Sequence, residues 1–191
     1  MKIAITGHSA GIGLELAKIS EANGHETIGL SRRNGYNVRS LPKVAAMIEP
    51  CDMFINNAQA GFAQTELLVE VWNRWKDQEK FIINISTIMT QLPLAVGDPE
   101  LNANSGIDLY RIQKLSLEET CKQLGYKSVF PLMTLVRPGA VATHPEQQSN
   151  HPHADPKEWA ETLVKILDIA NPNLWVSDIS IGVNYLNHHG S

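Results

Sequence analysis

The first thirteen residues constrain the fold of this chain most, because an apolar segment runs directly into a turn that contains three glycines. Residues 2–6 have the composition of a buried strand, and they are followed by Gly7, Gly11 and Gly13 and then by a helical pattern. Glycine permits a tight turn and a close approach of backbone to a ligand, and a helix N-terminus offers unpaired N–H groups to an anion. The turn predicts a site for a nucleotide pyrophosphate; a purely structural turn is the alternative.

The composition is that of one globular domain without a nucleic-acid surface. The chain has 191 residues, 43% of them hydrophobic, and a net charge of −4. No basic run is long enough to neutralise several phosphates, and no apolar run approaches the roughly 20 residues that span a membrane. We expect a single domain over residues 1–186 and a disordered or artificial tail over 187–191.

The ends and the cysteines indicate a cytoplasmic protein. Met1 and Lys2 lead directly into the first predicted strand, so we expect no signal peptide ahead of it. Cys51 and Cys121 are too few for a disulfide framework and lack metal-ligand spacing, so we expect buried free thiols.

Strands and helices alternate along the chain, which predicts an α/β fold, a Rossmann-type doubly wound parallel sheet with helices on both faces. The predicted strands are residues 2–6, 27–30, 36–38, 52–56, 81–85, 129–136 and 174–183. The predicted helices are residues 12–23, 40–50, 64–79, 107–124 and 156–169.

Tyr110 and Lys114 lie four residues apart in one predicted helix and therefore share a face. A nearby cation favours the phenolate, so such a pair suits acid–base chemistry. In isolation, such a spacing is more often a half-buried tyrosine beside a solvated lysine, and its position among the other motifs decides otherwise.

Five motifs in order resemble the short-chain dehydrogenase/reductase family. They are the Thr6-Gly7-x-x-x-Gly11-Ile12-Gly13 turn, Asn56-Asn57-Ala58, Ser86-Thr87, Tyr110-x-x-x-Lys114 and Arg137-Pro138-Gly139. The resemblance covers nearly the whole chain. It implies a nicotinamide cofactor and reversible hydride transfer between a carbonyl and an alcohol.

The resemblance also implies the roles of individual residues. Tyr110 is the general acid or base, Lys114 binds the nicotinamide ribose and lowers the pKa of the phenol, and the hydroxyl partner is either Thr87 or Ser86. The implied cofactor-binding residues, besides Tyr110 and Lys114, are Gly7, Ser9, Ala10, Gly11, Ile12, Gly13, Ser31, Arg32, Arg33, Asn37, Asn57, Ala58, Gln59, Ile85, Pro138, Gly139, Val141 and Thr143.

The residues after the second strand predict NADP(H) rather than NAD(H). A carboxylate that would accept from the ribose 2′-OH is missing, and Ser31-Arg32-Arg33 stands in its place. Guanidinium groups form charge-assisted hydrogen bonds with phosphate. The alternative is that the arginines project into water.

Several positions depart from the family. Gln59 replaces a glycine and is expected to narrow the nicotinamide end, and the relay asparagine of the family has no secure match, Asn73 being the nearest candidate. The loop 88–109 is long, and we expect a lid or wall beside the site. The segment 142–155 is short; its histidines, at 144, 151 and 153, are interpreted as a solvated loop and no metal is expected.

The sequence therefore predicts an NADP(H)-dependent oxidoreductase for a small carbonyl or alcohol substrate. The alternative is a weakly active or inactive NADP(H)-binding sensor or scaffold. We expect a homodimer or homotetramer, because Trp72 and Trp75 fall on a helix that the family uses for association; packing of both indoles in their own core is the other interpretation.

Overall fold

One parallel sheet organises the described part of the protein. The computed structural model describes residues 1–91, 105–143, 152–169 and 174–183. Within these ranges six strands form a single sheet in the order β2-β1-β3-β4-β5-β6, and every pairing is parallel. The strands are β1 (Lys2–Thr6), β2 (Glu26–Leu30), β3 (Met53–Asn56), β4 (Phe81–Ile85), β5 (Leu132–Pro138) and β6 (Asp178–Ile181).

Helices connect the strands and cover both faces of the sheet. They are α1 (Gly11–Ala22), α2 (Leu41–Ile48), α3 (Ala63–Trp75), α4 (Ser105–Gly125) and α5 (Pro156–Ile169). Short 3₁₀ turns at Arg32–Asn34 and Ile88–Thr90 follow β2 and β4.

Alternation along the strands builds two cores. Ala4 and Phe54 are completely buried against α2, α3 and α4. Their neighbours Ile5 and Ile55 point to the opposite face and pack against α1 and α5. Because both faces are covered, the central strands β3 and β4 are mainly apolar, as expected for a buried parallel sheet. The predicted fold class is confirmed.

The predicted strand 36–38 is wrong. The N–H of Tyr36 donates to the Ser31 carbonyl at 2.8 Å, which closes the 3₁₀ turn, and Gly35 adopts a left-handed φ of 84°. The Asn37 side chain then accepts from the N–H of Arg39. These local bonds use backbone groups that a strand would offer to a neighbour, so β2 is the edge strand among the described residues.

Other boundaries differ by a few residues. The predicted strand 129–136 begins only at Leu132, because Pro131 has no N–H to donate to a neighbouring strand. In the segment 174–183 only Asp178–Ile181 pairs with β5. The strand 81–85 and the helix 156–169 match their predicted bounds.

The indoles of Trp72 and Trp75 belong to the hydrophobic core of their own chain. Trp75 is fully buried and Trp72 is 5% exposed, and they pack among α2, α3 and the sheet. Cys51 and Cys121 are free, buried thiols, as predicted. In the part of the chain that the structure describes, no helix is long and apolar enough to cross a membrane. The tail 187–191 lies outside the described residues.

The strand order fixes where a ligand can bind. The chain leaves β1 for β2 on one side and later returns to β3 on the other side of β1. The connections above β1 and β3 therefore diverge, and a crevice opens at the carboxyl ends of these strands.

Candidate active site

The glycine turn after β1 forms the floor of this crevice. A Cβ on Gly13 would lie 2.5 Å from the carbonyl oxygen of Gly7, and a Cβ on Gly11, which has a φ of +54°, would lie 2.9 Å from Thr143 Cγ2. Ala10, at the N-cap of α1, has no side chain that can cap the first N–H groups of the helix. The turn thus keeps backbone donors open to an anion and suits the pyrophosphate predicted from the sequence.

Hydrogen bonds join this turn to the end of β3. The Thr6 hydroxyl oxygen accepts from the N–H groups of Asn57 and Ala58 at 3.0 and 3.1 Å, and the Asn57 amide donates to the Thr6 carbonyl at 3.0 Å. These bonds hold the two loops that face each other across the crevice.

A cavity of about 990 Å³ occupies the crevice. Its lining brings together most of the residues proposed from the sequence to bind a cofactor. These are Gly7, Ser9, Ala10, Gly11, Ile12, Ser31, Arg32, Arg33, Asn37, Asn57, Ala58, Gln59, Tyr110 and Thr143.

Positive charge lies at the β2 end of the cavity. Arg32, Arg33 and Arg39 line it, and none of its described lining residues is acidic. Arg33 Nη1 donates to the Ser9 carbonyl at 3.2 Å, so this arginine is tied to the glycine turn. The Ser31 N–H donates to Asn34, which fixes the turn that carries the first two arginines.

Five lining residues were missed by the sequence analysis. The sequence predicts a strand over residues 36–38, but the turn found there brings all three to the cavity, and of these only Asn37 was a predicted contact. The basic character of position 39, close to the arginine pair, was an available signal. The missed residues are Leu30, Tyr36, Val38, Arg39 and Ala60.

Thr87 and Tyr110 form a hydrogen-bonded pair at the edge of the cavity. The Thr87 hydroxyl bonds the Tyr110 phenol, and its oxygen also accepts from the Met89 N–H at 3.4 Å. Tyr110 is itself a lining residue, whereas Thr87 is 7% exposed. A hydroxyl and a phenol are thus adjacent, and both can donate a hydrogen bond to one ligand oxygen.

Ser86 points away from this pair. Its hydroxyl donates to Oε1 of Glu118 on α4, and Thr90 Oγ1 donates to the same oxygen at 2.7 Å. Glu118 is 5% exposed. Of the two hydroxyls left open by the sequence, Thr87 is the one that contacts Tyr110.

Lys114 is buried beneath Tyr110. Its Nζ donates to Gln64 Oε1 and to the Ile85 carbonyl, both at 2.8 Å, and lies 5.7 Å from the centroid of the Tyr110 ring. Burial lowers the pKa of Lys114 to about 7, although the negative charge of Glu118 opposes the shift.

The Tyr110 phenol differs from the sequence expectation. Burial raises its pKa, and the hydrogen bond with Thr87 partly offsets the rise. A Lys114 amine with a pKa near 7 is only partly charged at neutral pH. Burial and the Thr87 hydrogen bond are the causes of the Tyr110 shift in this structure, and the lowering of the phenol pKa by Lys114 stays a prediction.

Gln59 projects toward helix α4. Its Nε2 donates to Gln113 Oε1 at 2.8 Å, and the side chain lines the cavity at the Tyr110 end. The bond therefore joins the loop after β3 to α4.

The segment after β5 contributes Thr143 to the lining of the cavity. The Gly139 N–H donates to the Ile181 carbonyl, and a Cβ on Gly139 would lie 2.9 Å from the Gly182 Cα. Val141 bridges to Ala154 and packs on the core, while Thr143 lies over the glycine turn. The structure does not place six of the proposed cofactor contacts in the lining of the cavity: Gly13, Ile85, Lys114, Pro138, Gly139 and Val141.

Parts of the predicted surroundings lie outside the described residues. These are positions 92–104 of the predicted lid and the 144–151 stretch, which carries two of the three loop histidines. Asn73 is an exposed residue of α3. Within the described ranges no group of three or more His, Cys, Asp or Glu side chains is placed to hold a metal ion.

The whole arrangement is that of a Rossmann-type α/β fold. Solved structures identify it further as the fold of the short-chain dehydrogenases/reductases. No protein-family model and no curated protein sequence matches the chain.

Three of these structures illustrate the likeness. A short-chain dehydrogenase from Burkholderia cenocepacia in complex with NADP has a TM-score of 0.75 at 14% identity, covering 95% of this chain and 88% of that one. A short-chain dehydrogenase/reductase from Vibrio parahaemolyticus has a TM-score of 0.73 at 19% identity, covering 95% and 96%. A 3-alpha-hydroxysteroid dehydrogenase from a Pseudomonas species, complexed with NADH, has a TM-score of 0.65 at 18% identity, covering all of both chains.

Proposed function

We propose that this chain is a short-chain dehydrogenase/reductase that interconverts a carbonyl and an alcohol with NADP(H). The observation that carries the proposal is that Tyr110, bonded to Thr87, lines the same cavity as the open glycine turn. A dinucleotide that places its pyrophosphate on the turn spans the cavity toward this pair. The solved structures with the same fold include complexes with NADP and with NADH, which supports a nicotinamide cofactor.

Each side chain of the site has its own role in the proposed reaction. When bound, a reduced nicotinamide supplies a hydride. Because the pKa of Tyr110 is raised, the phenol carries its proton at neutral pH and donates it to the oxygen of the substrate carbonyl. The Thr87 hydroxyl holds the same oxygen by a hydrogen bond. Lys114 lies beneath the phenol, and the family resemblance assigns its amine a hydrogen bond to the cofactor ribose.

The charge of the cavity favours NADP(H). Arg32 and Arg33 follow β2, at the place where a carboxylate would favour the 2′-OH of NAD(H) over the 2′-phosphate of NADP(H). Arg39 adds a third guanidinium. Each charge-assisted hydrogen bond to a phosphate is worth roughly 1.5–3 kcal/mol, enough for a preference of tenfold or more.

A binding titration tests the proposal directly. Purified protein is titrated with NADPH and with NADH, and binding is followed by tryptophan quenching and by energy transfer to the reduced nicotinamide. Micromolar binding of NADPH with much weaker binding of NADH is expected. Binding of neither dinucleotide would contradict the proposal, whereas binding without turnover on any carbonyl would favour a sensor or scaffold.

The proposal includes a homo-oligomer and a cytoplasmic location. The exposed face of α4 carries the apolar side chains Leu109, Ile112 and Leu115, and Val69 is exposed on α3, so the two helices have apolar surface available for a second copy. Two buried free thiols are compatible with a reducing compartment. Light scattering on the purified protein distinguishes a dimer or tetramer from a monomer.

A further inference from the structure

Gln64 is a polar residue buried at the centre of the molecule. It lies in the first turn of α3 and is 2% exposed, between the carboxyl ends of β3 and β4. A buried amide is costly unless its groups are hydrogen-bonded, so its partners show what it stabilises.

The bonds of Gln64 fix the orientation of its amide. Nε2 donates to the Asn56 carbonyl at 2.8 Å and to the Ile85 carbonyl at 3.0 Å. Carbonyl oxygens accept only, so the nitrogen end of the amide must face them. The oxygen Oε1 is thereby aimed at Lys114, whose Nζ donates to it at 2.8 Å.

This contact fixes the position of the Lys114 amine. Its Nζ is held between Gln64 Oε1 and the Ile85 carbonyl, and the side chain is 3% exposed. Ile85 directly precedes the loop that carries Thr87. The amine is therefore fixed relative to both the phenol on its own helix and the hydroxyl after β4.

Few charged side chains lie close to the Lys114 amine. On α4 itself, Tyr110 lies one turn before Lys114 and Glu118 one turn after it. Arg137 of β5 reaches the same region but is bonded to Glu118. The group that α3 presents to the amine is the neutral amide of Gln64.

We propose that Gln64 is a positioning residue that holds the Lys114 amine against the end of β4. This role rests on the proposed function, because a fixed lysine matters for catalysis only if the Tyr110 site transfers protons. The competing interpretation is structural: Gln64 Nε2 alone would join α3 to the sheet, and the contact with Lys114 would have no consequence.

The first measurement uses the unmodified protein without added cofactor. The Lys114 side-chain signals in an NMR spectrum are assigned by their loss in Lys114→Arg, and the amine is titrated. We expect a pKa near 7 and two distinct ε-methylene proton signals, as for an immobile side chain. An ordinary lysine pKa of about 10.4 with averaged signals would overturn the proposal.

The variant Gln64→Met removes the acceptor with little change in volume. Loss of a hydrogen bond to the charged form is expected to lower the pKa of Lys114 by about one unit and to average its methylene signals. Asn56→Ala is the matched control, because Asn56 Nδ2 donates to the backbone carbonyl of Gln64 and not to its side chain. It loosens the same junction, and the titration of Lys114 is expected to stay as in the unmodified protein.

A second variant keeps the test decisive if Gln64→Met does not fold. Gln64→Glu places a carboxylate beside the amine and is expected to raise the pKa of Lys114 by about one unit or more. Opposite shifts in the two variants would support positioning. An unchanged Lys114 titration in either folded variant, with only a lower unfolding midpoint, would leave Gln64 a purely structural residue.

Turnover separates this proposal from the proposed function. If the chain binds NADPH, Gln64→Met is expected to reduce kcat about tenfold or more while the dissociation constant of NADPH changes less, and Asn56→Ala is expected to alter kcat much less. If the unmodified protein binds no dinucleotide, the proposed function fails, but the titration of Lys114 still reports on the Gln64 contact.

Discussion

Arg137 of β5 donates two hydrogen bonds, at 3.0 and 2.8 Å, to Oε2 of Glu118 on α4. Both residues are buried, and Arg137 also pairs with the half-exposed Asp178. The other oxygen of Glu118 accepts from Ser86 and Thr90, on either side of Thr87. One carboxylate thus fixes the loop that presents the Thr87 hydroxyl to Tyr110.

Replacement of Glu118 by glutamine is expected to destabilise the protein and misplace Thr87. The variant leaves the buried guanidinium of Arg137 without its main counter-charge, and loss of one partner of a buried pair costs about 3 kcal/mol. Urea unfolding measures the free energy. The exposed neighbour provides a control, because Glu119→Gln is expected to stay within about 0.5 kcal/mol. Equal stability of the two variants would contradict this account.

The same carboxylate makes a defined contribution to acid stability. Burial alone would raise the pKa of Glu118, but hydrogen bonds from Arg137, Ser86 and Thr90 outweigh burial and hold it below its usual value. The stabilisation is fully present above the unfolded-state pKa of about 4.3 and is lost as the pH falls through the lower folded-state value. The difference in unfolding free energy between the unmodified protein and Glu118→Gln is expected to shrink between pH 7 and pH 3. A constant difference would exclude the linkage.

Elements with clear local signals were predictable from the sequence. The strand 81–85 is an apolar run after a polar segment, and the helix 156–169 begins at a proline, so both were bounded correctly. The segment 36–38 has strand-like residues but lies beside the edge strand β2, where a local turn takes up its backbone groups. Local propensity could not reveal that no neighbouring strand was available to it.

The site was predictable where a motif fixes backbone geometry and not where contacts are distant in sequence. Ser86 and Thr87 are adjacent on an extended segment, so their side chains point in different directions. Which one faces Tyr110 depends on Glu118, 32 residues beyond Ser86. Gln64 is 50 residues from Lys114, and no periodicity connects them.

The arginines after β2 are expected to determine the cofactor preference. The double variant Arg32→Ala/Arg33→Ala removes two charged donors from the cavity, so the affinity for NADPH should fall about tenfold or more while that for NADH changes little. The dissociation constants are measured by fluorescence titration. Lys18→Ala removes an exposed charge that α1 pairs with Glu15, and it should leave both constants unchanged. An unchanged NADPH/NADH ratio in the double variant would remove the argument for NADP(H).

Gly13 is expected to tolerate no side chain. A Cβ there would lie 2.5 Å from the Gly7 carbonyl oxygen and 2.6 Å from Asn57 Nδ2, so Gly13→Ala must displace backbone in the turn. A cost of about 1–3 kcal/mol is expected, with loss of dinucleotide binding.

Gly125→Ala is the control for Gly13→Ala. Gly125→Ala at the end of α4 would meet only the Met133 terminal methyl, at 3.6 Å, and should fold and bind normally. Thermal unfolding and NADPH titration of both variants measure the two effects. Normal binding by Gly13→Ala would show that the turn does not form the predicted pyrophosphate site.

Tyr110→Phe is expected to separate binding from chemistry. The substitution removes the acidic proton and the bond with Thr87 but keeps the ring that lines the cavity, so NADPH should bind with nearly unchanged affinity while turnover falls about 100-fold or more. Tyr126 is 83% exposed, and Tyr126→Phe should leave both properties unaltered. Single-turnover oxidation of NADPH in the presence of a carbonyl substrate gives the rate of the chemical step. Retention of that rate in Tyr110→Phe would assign the proton transfer to a group other than the phenol, because phenylalanine has no proton to donate.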